Sequence, residues 1–256
     1  MRYLLGAALA FAVLIVASTP AGAEGDEAQI VGFVYEPYVL LQDGRAEGIV
    51  PDIVRETARR VGHSSEANFT LPILRAFEMA KTIPGTFVYM TATPDHLADY
   101  TMVFCFLRDE MGGVWQRSRA WKSLDDIPRT AVVGFILGSP APEPLTAMGF
   151  ANFSATRLSS QNAEKLIAGR IDVWMAYFSA ERFFLLQRGR DLRDFFFSPP
   201  LVRTDVCLAT GKSTPEPLVQ RWRDAFKSMV ADGTYAAIRQ KYRAYLPLSI
   251  NPLPDQ

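Results

Sequence analysis

Two histidines and two cysteines are all that 256 residues contain, and that scarcity excludes much chemistry. His63 and His96 stand alone and lie far in sequence from Cys105 and Cys207, so no zinc-ligand spacing arises. Neither a Cys-x-x-Cys pair nor a Cys-x-x-Cys-His haem attachment occurs. Hydrolase and nucleotide signatures are missing too: there is no G-x-S-x-G, H-E-x-x-H, helix-opening G-x-G-x-x-G or G-x-x-x-x-G-K. With so little imidazole, the usual proton-transfer apparatus is thin. Charge of one sign is not in excess, with 27 basic against 27 acidic residues. No basic stripe interleaved with aromatics suggests nucleic acid.

Long apolar runs are also scarce, and the single one sits at the start. Met1-Arg2 precede an apolar stretch from Tyr3 to Ala17, and Pro20-Ala21-Gly22-Ala23 then precede the acidic Glu24-Gly25-Asp26-Glu27. A basic tip, a short hydrophobic core and small residues before the break predict a secretory signal peptide over 1–23, cleaved after Ala23. The run is short for a bilayer crossing and is ended by Pro20. The expectation is an exported, soluble, periplasmic chain of 233 residues, long enough for one large domain or two modest lobes. Export would allow Cys105 and Cys207 to bridge. Their apolar, strand-like settings, "VFCFL" and "DVCLA", suit two buried thiols equally well.

What is present is an α/β rhythm. "QIVGFVY" reads as a strand, and Asp43-Gly44 and Gly48 mark turns. "PDIVRETARRVG" places Ile53, Val54, Ala58 and Val61 on one helical face and is stopped by Gly62. "LPILRAFEMAKTIPG" reads as a helix opened by Pro72, and "TFVYMTA" as a strand. "TPDHLAD" reads as a loop leading into the strand-like "YTMVFCFL" and "MGGVWQR". The pattern then resets. "TAVVGFILGS" reads as a strand, "SSQNAEKLIAGR" as a serine-capped helix, "IDVWMAY" as a strand and "SAERFFLLQR" as a helix. Two final helices break at Asp232-Gly233, and Leu218, Trp222, Phe226 and Met229 form a core-facing stripe. This order predicts helices covering a largely parallel sheet. Asp52 and Asp172 read as structural anchors or caps.

Taken together, "VYEPYVLLQDGRAEGIVPDIVRETARRVG", "LPILRAFEMA", "TPDHLADYTMVF", "VVGFILGS", "SSQNAEKLIAGRIDVWMAY", "FFFSPPLVRTDVCLA" and "WRDAFKSMVADGTYAAIRQKY" resemble extracellular solute-binding proteins of family 3. These are two-lobed receptors best known for delivering polar amino acids to ABC importers. The resemblance implies an α/β fold of the periplasmic binding protein type II kind. One lobe would comprise 27–113 plus 204–256 and the other 114–203. Two hinge segments, near Gly113–Trp115 and Leu201–Thr204, would join them. A ligand would sit between the lobes and favour their closure.

The same resemblance implies site residues. Tyr35 matches a position where an aromatic ring often covers the ligand, with Tyr38 near the same wall. Arg75 would be a cleft cation or a surface charge. Thr91 and Thr93 fall where hydroxyls are commonly supplied. Gly138-Ser139 match a second-lobe turn that often meets a carboxylate, and Ser160, Gln161 and Asn162 match a cleft-facing helix start. Trp174 and Met175 adjoin Tyr177 at the end of a strand.

Two departures bear on the ligand. Amino-acid receptors usually carry an arginine where this chain has His96, and commonly an acid where it has Tyr177. Imidazole lacks the planar guanidinium fork, and tyrosine has no full negative charge. Unless Arg75 or Arg157 supplies the clamp, a small polar or weakly charged molecule fits better than a zwitterionic amino acid. The expected partners are such a ligand and a transporter permease or membrane sensor, with the chain itself monomeric. No catalytic residue, metal or cofactor is assigned. Two other classes stay open: an accessory protein of a periplasmic redox or signalling system, and a dehydratase-like enzyme acting on a small organic acid.

Overall fold

The computed structural model of the protein describes residues 28–63, 66–137, 139 and 141–246. The expected signal peptide, Gly138 and the Pro-rich tail from 247 lie outside the described residues. Ten strands are present among them: β1 Gln29–Ile30, β2 Leu40–Gln42, β3 Arg45–Glu47, β4 Thr86–Thr91, β5 Tyr100–Gln116, β6 Val133–Ile136, β7 Phe153–Thr156, β8 Val173–Tyr177, β9 Phe195–Phe197 and β10 Val202–Gly211. The eight helices are α1 Ile49–Arg60, α2 Ile73–Thr82, α3 Pro94–Asp99, α4 Pro142–Ala147, α5 Ser159–Ile167, α6 Phe178–Gln187, α7 Glu216–Ala231 and α8 Thr234–Lys241. None is long and apolar enough to cross a membrane.

One continuous sheet runs β1-β4-β10-β5-β8-β6-β7, with β9 also paired to β5. It is mixed, not largely parallel. β10 pairs antiparallel with both β4 and β5, and β5 pairs antiparallel with β8 and β9. Parallel pairing is confined to β1 with β4 and to β6 with β7 and β8. The cause is β5. The two short segments read separately from the sequence form a single strand of 17 residues, which crosses the whole molecule and recruits partners at both ends.

Several elements follow directly from local chemistry. The β2–β3 hairpin turns through Asp43 and Gly44 with φ of 49° and 77°, the left-handed pair that a two-residue turn requires. α1 buries Ile53, Val54 and Ala58 and yields to Gly62 at φ 77°. Three local readings are corrected. "TPDHLAD" contains α3: the Thr93 hydroxyl accepts from the His96 amide at 3.3 Å, and Pro94 starts the helix. α5 has Leu158 at its cap position and no side-chain cap bond. "QIVGFVY" pairs as a named strand only at Gln29–Ile30, although the Val31 amide still donates to Phe87 of β4 and Val31 also bridges Asn68.

The apolar side chains collect into separate cores. One is built from 28–107 and 206–246, and includes Trp222 stacked on Phe87 with ring centroids 4.6 Å apart. Two smaller cores lie entirely between Met111 and Phe195. The changeover falls between Leu107 and Met111 on β5, N-terminal to the crossing expected at Gly113–Trp115. On β10, Val202 packs on the second group and Val206 on the first. Cys105 and Cys207 stand opposite one another on β5 and β10 and form a disulfide, with Cα atoms 3.9 Å apart. Asp52 and Asp172 are anchors. Asp52 accepts from Tyr242 at 2.7 Å, and Asp172 accepts from the Val132 amide at 2.8 Å.

Candidate functional site

A cavity of about 230 Å³ lies between the cores. From the first group, the Phe33–Tyr38 segment, α2, the end of β4 and α3 supply Phe33, Tyr35, Tyr38, Phe77, Thr91 and His96. From the second, the ends of β6 and β8 and the starts of α5 and α6 supply Ile136, Ser159, Tyr177 and Ala180. The carboxyl ends converge there because β4 and β8 run in opposite senses along β5: β4 ends at Thr91, level with Val206 and Leu107, and β8 ends at Tyr177, opposite Met111. Among the described residues, no Asp, Glu, Lys or Arg side chain lines this cavity.

Six of the expected site residues meet in it: Tyr35, Tyr38, Thr91, His96, Ser139 and Tyr177. Arg75, Thr93, Gln161 and Trp174 lie elsewhere, and Ser160 and Asn162 do not line it either. Trp174 is fully buried in a core beside Phe184, because residues alternate across β8 and its face is opposite that of Met175 and Tyr177. Thr93 uses its hydroxyl to cap α3. Gln161 lines a separate surface groove with Arg157, Lys165 and Arg170. Arg75 is exposed on α2 and does not line the cavity. Neither candidate for a replacement arginine clamp, Arg75 or Arg157, therefore reaches it.

The polar groups that do face the cavity are phenols, hydroxyls and the His96 imidazole, set on an apolar wall. His96 Nδ1 lies 2.6 Å from the Thr91 carbonyl, which can only accept, so Nδ1 carries the proton in this bond. The imidazole stands edge-on to Phe77, with centroids 5.2 Å apart. Tyr35 stacks over Tyr38 with centroids 5.9 Å apart and rings 16° from parallel. Burial raises the Tyr35 and Tyr177 phenols above the ordinary tyrosine range, Tyr177 strongly, so both remain neutral donors. Their hydroxyls make no hydrogen bond among the described residues. The Ser139 hydroxyl is buried there without a partner among the described residues.

Behind this wall lie acids that sequence reasoning missed. Asp109 is buried at 4% exposure. It accepts from the Tyr38 and Ser179 hydroxyls, and from the Glu110 amide at 2.8 Å. Burial raises its carboxyl, and these donors act the other way. Glu181 on α6 is fully buried, accepts from the Ala176 amide at 3.2 Å, and is pushed well above the usual carboxylate range by burial. The alternation "FLRDEM" holds a weak signal for Asp109, an acid at an inward position of a strand. Among the described residues, no group of three His, Cys, Asp or Glu gathers that could hold a metal ion.

This mixed α/β arrangement is the fold of periplasmic-binding-protein-like structures. A substrate-binding protein of an ABC uptake transporter from Streptococcus pneumoniae, solved with bound histidine, matches with a TM-score of 0.70 at 20% identity, over 84% of this chain and 92% of that one. A histidine kinase sensor domain similar to periplasmic binding proteins matches at 0.69 and 16% identity, over 84% and 95%. An ancestral arginine-binding protein bound to arginine matches at 0.68 and 18%, over 84% and 97%. At such identities the likeness establishes the fold alone. No protein-family model and no curated protein matches the chain.

Proposed function

We propose that the protein is a periplasmic solute receptor in which two lobes, 27–113 plus 204–256 and 114–203, close over a small ligand. That ligand is weakly charged or neutral and partly apolar, such as a small aromatic or alicyclic acid or alcohol. The observation that carries this reading is the cavity lining: aromatic and aliphatic surface dotted with hydrogen-bonding groups and, among the described residues, no Asp, Glu, Lys or Arg side chain. A zwitterion moved into it would lose the hydration of two charges and regain no ion pair. A partly apolar ring would release water from both surfaces and could bond to Tyr35, Tyr177, His96 and Ser139 at its edge. Delivery to a permease or signalling through a membrane sensor suits the same cleft, since fold does not choose between them.

Native mass spectrometry of protein purified from its export compartment, before and after unfolding and refolding, tests the ligand class. The expected result is a discrete adduct of a neutral or monoacidic organic molecule, lost on refolding. Re-adding such a compound at one hundred times its Kd should stabilise the fold by about 2.7 kcal/mol. Tight binding of arginine, histidine or another free amino acid would refute the reading.

A second reading has its own observation. Six exposed aliphatic residues line the cavity or adjoin a lining residue in sequence: Val34, Ile73, Leu74, Leu97, Leu137 and Leu158. Leu74 is 79% and Leu137 66% exposed. Apolar groups around a cleft mouth favour contact with a partner protein, as an accessory component of a redox or signalling system would make. Replacing Leu74 and Leu137 by serine would weaken such a complex and leave small-molecule binding intact.

A further inference from the structure

Asp109 supplies no atom to the cavity surface, yet it joins groups that belong to different cores. Tyr38, which donates to it, packs within the first core. Ser179, which donates to the same carboxylate oxygen, lies on α6, whose Phe184 and Leu185 pack in a core of the second group. Asp109 itself is on β5 between Leu107 and Met111, where the strand passes from one core to the other. The Tyr38, Asp109 and Ser179 side chains are all buried. A second contact reinforces the junction: Phe183 meets Tyr245 edge-to-face at 5.0 Å. Ser179 and Phe183 are four residues apart, so one face of α6 makes both contacts. The same elements bound the cavity, since Tyr38, Tyr177 and Ala180 line it.

We propose that Asp109 is the latch of the closed state, a positioning residue that holds Tyr38 as a cavity wall and ties α6 to the opposite lobe. This rests on the lobe-closure reading and extends it. Three donors converge on one buried carboxylate, offsetting its desolvation only while Tyr38 and Ser179 stay together. Separating the lobes removes at least one donor, and water must then replace it. Ligand contacts with Tyr38 and Tyr177 add to the same junction, so closure is partly built in before a ligand arrives.

The test is the distance between nitroxide labels at Glu78→Cys on α2 and Gln161→Cys on α5, both exposed positions outside the cavity. It is measured by pulsed electron resonance on full-length protein unfolded and refolded to remove bound small molecules. The native cysteines are bridged and take no label. Wild type is expected mainly at the short distance. Asp109→Asn, Ser179→Ala and Tyr38→Phe should each lower the short-to-long ratio about tenfold or more. Ser198→Ala is the control. Its hydroxyl accepts from Gly113 at 2.9 Å and donates to Pro199 at 2.7 Å, so its loss should leave the distances unchanged. Ser179→Ala and Tyr38→Phe remove single hydroxyls and keep the test open should Asp109→Asn fail to fold. Two distances whose ratio none of the three variants changes would overturn the latch and leave lobe closure standing. One unvarying distance in every protein would overturn closure, and the latch with it.

Discussion

Reducing the Cys105–Cys207 bridge should cost this protein a large fraction of its stability. The bridge closes a loop of 102 residues that contains all of β6–β9 and α4–α6. For a loop of about 100 residues, the loss of closure entropy in the unfolded chain amounts to about 4.7 kcal/mol. In the folded state little else changes, because the cysteines face each other across paired strands and Cys207 is fully buried. Two thiols fill nearly the same space. For a chain of this size each kcal/mol shifts the melting temperature by about 2–4 °C, so reduction should lower Tm by about 9–19 °C. Melting followed by circular dichroism, on oxidised protein, on protein reduced in denaturant and refolded, and on the Cys105→Ala/Cys207→Ala variant, measures it. The unfolding rate of the reduced protein should stay close to that of the oxidised form, with the loss appearing in refolding. A Tm change below about 2 °C in both altered proteins, or a loss carried by faster unfolding, would refute the unfolded-state argument.

Glu181 governs a pH dependence. Its folded-state carboxyl is raised by burial, so above the ordinary value of about 4.3 the unfolded chain loses a proton that the folded chain keeps. Its contribution to stability should therefore be fullest below that value and fall as pH rises through the folded one, by up to about 1.4 kcal/mol per pH unit. Asp109, also raised by burial, adds to the same trend. Glu181→Gln should flatten its share and make the protein more stable than wild type at pH 8, as read by urea denaturation across pH. Trp222→Ala should cost about 3–5 kcal/mol, since the side chain is fully buried and stacked on Phe87; chemical denaturation measures it. Gly112→Ala would bring a methyl carbon to 2.5 Å from the Phe178 ring and 2.7 Å from the Ser198 hydroxyl. A loss of about 1–3 kcal/mol is expected, and an unchanged melting curve would show that Phe178 can move.

Local chemistry was legible in the sequence because it depends on neighbours in the chain. Asp43-Gly44 announced a turn, Gly62 a helix end, and the Leu218–Trp222–Phe226–Met229 spacing a buried helical stripe, and each is present. The "TPDHLAD" helix carried its own signal, a threonine cap followed by proline, which the loop reading passed over. Tyr35, Tyr38, Thr91, His96, Ser139 and Tyr177 could be named in advance only through the resemblance to family 3 solute-binding proteins, and all six line one cavity.

Facing is decided by register and packing between distant segments. Trp174 and Tyr177 lie three residues apart on one strand, so the pleat sends them to opposite faces, and only the sheet's partners settle which face is core. The choice between a disulfide and two thiols waited on Cys105 and Cys207 falling opposite each other across β5 and β10. Asp109 escaped notice for the same reason: its partners are 71 and 70 residues away, at Tyr38 and Ser179. The sequence by itself thus determined most of the elements and their order, and through its resemblance to a known family several residues near the cleft. The tertiary structure alone decided which of them meet, because burial and hydrogen bonding act between surfaces that the linear chain keeps apart.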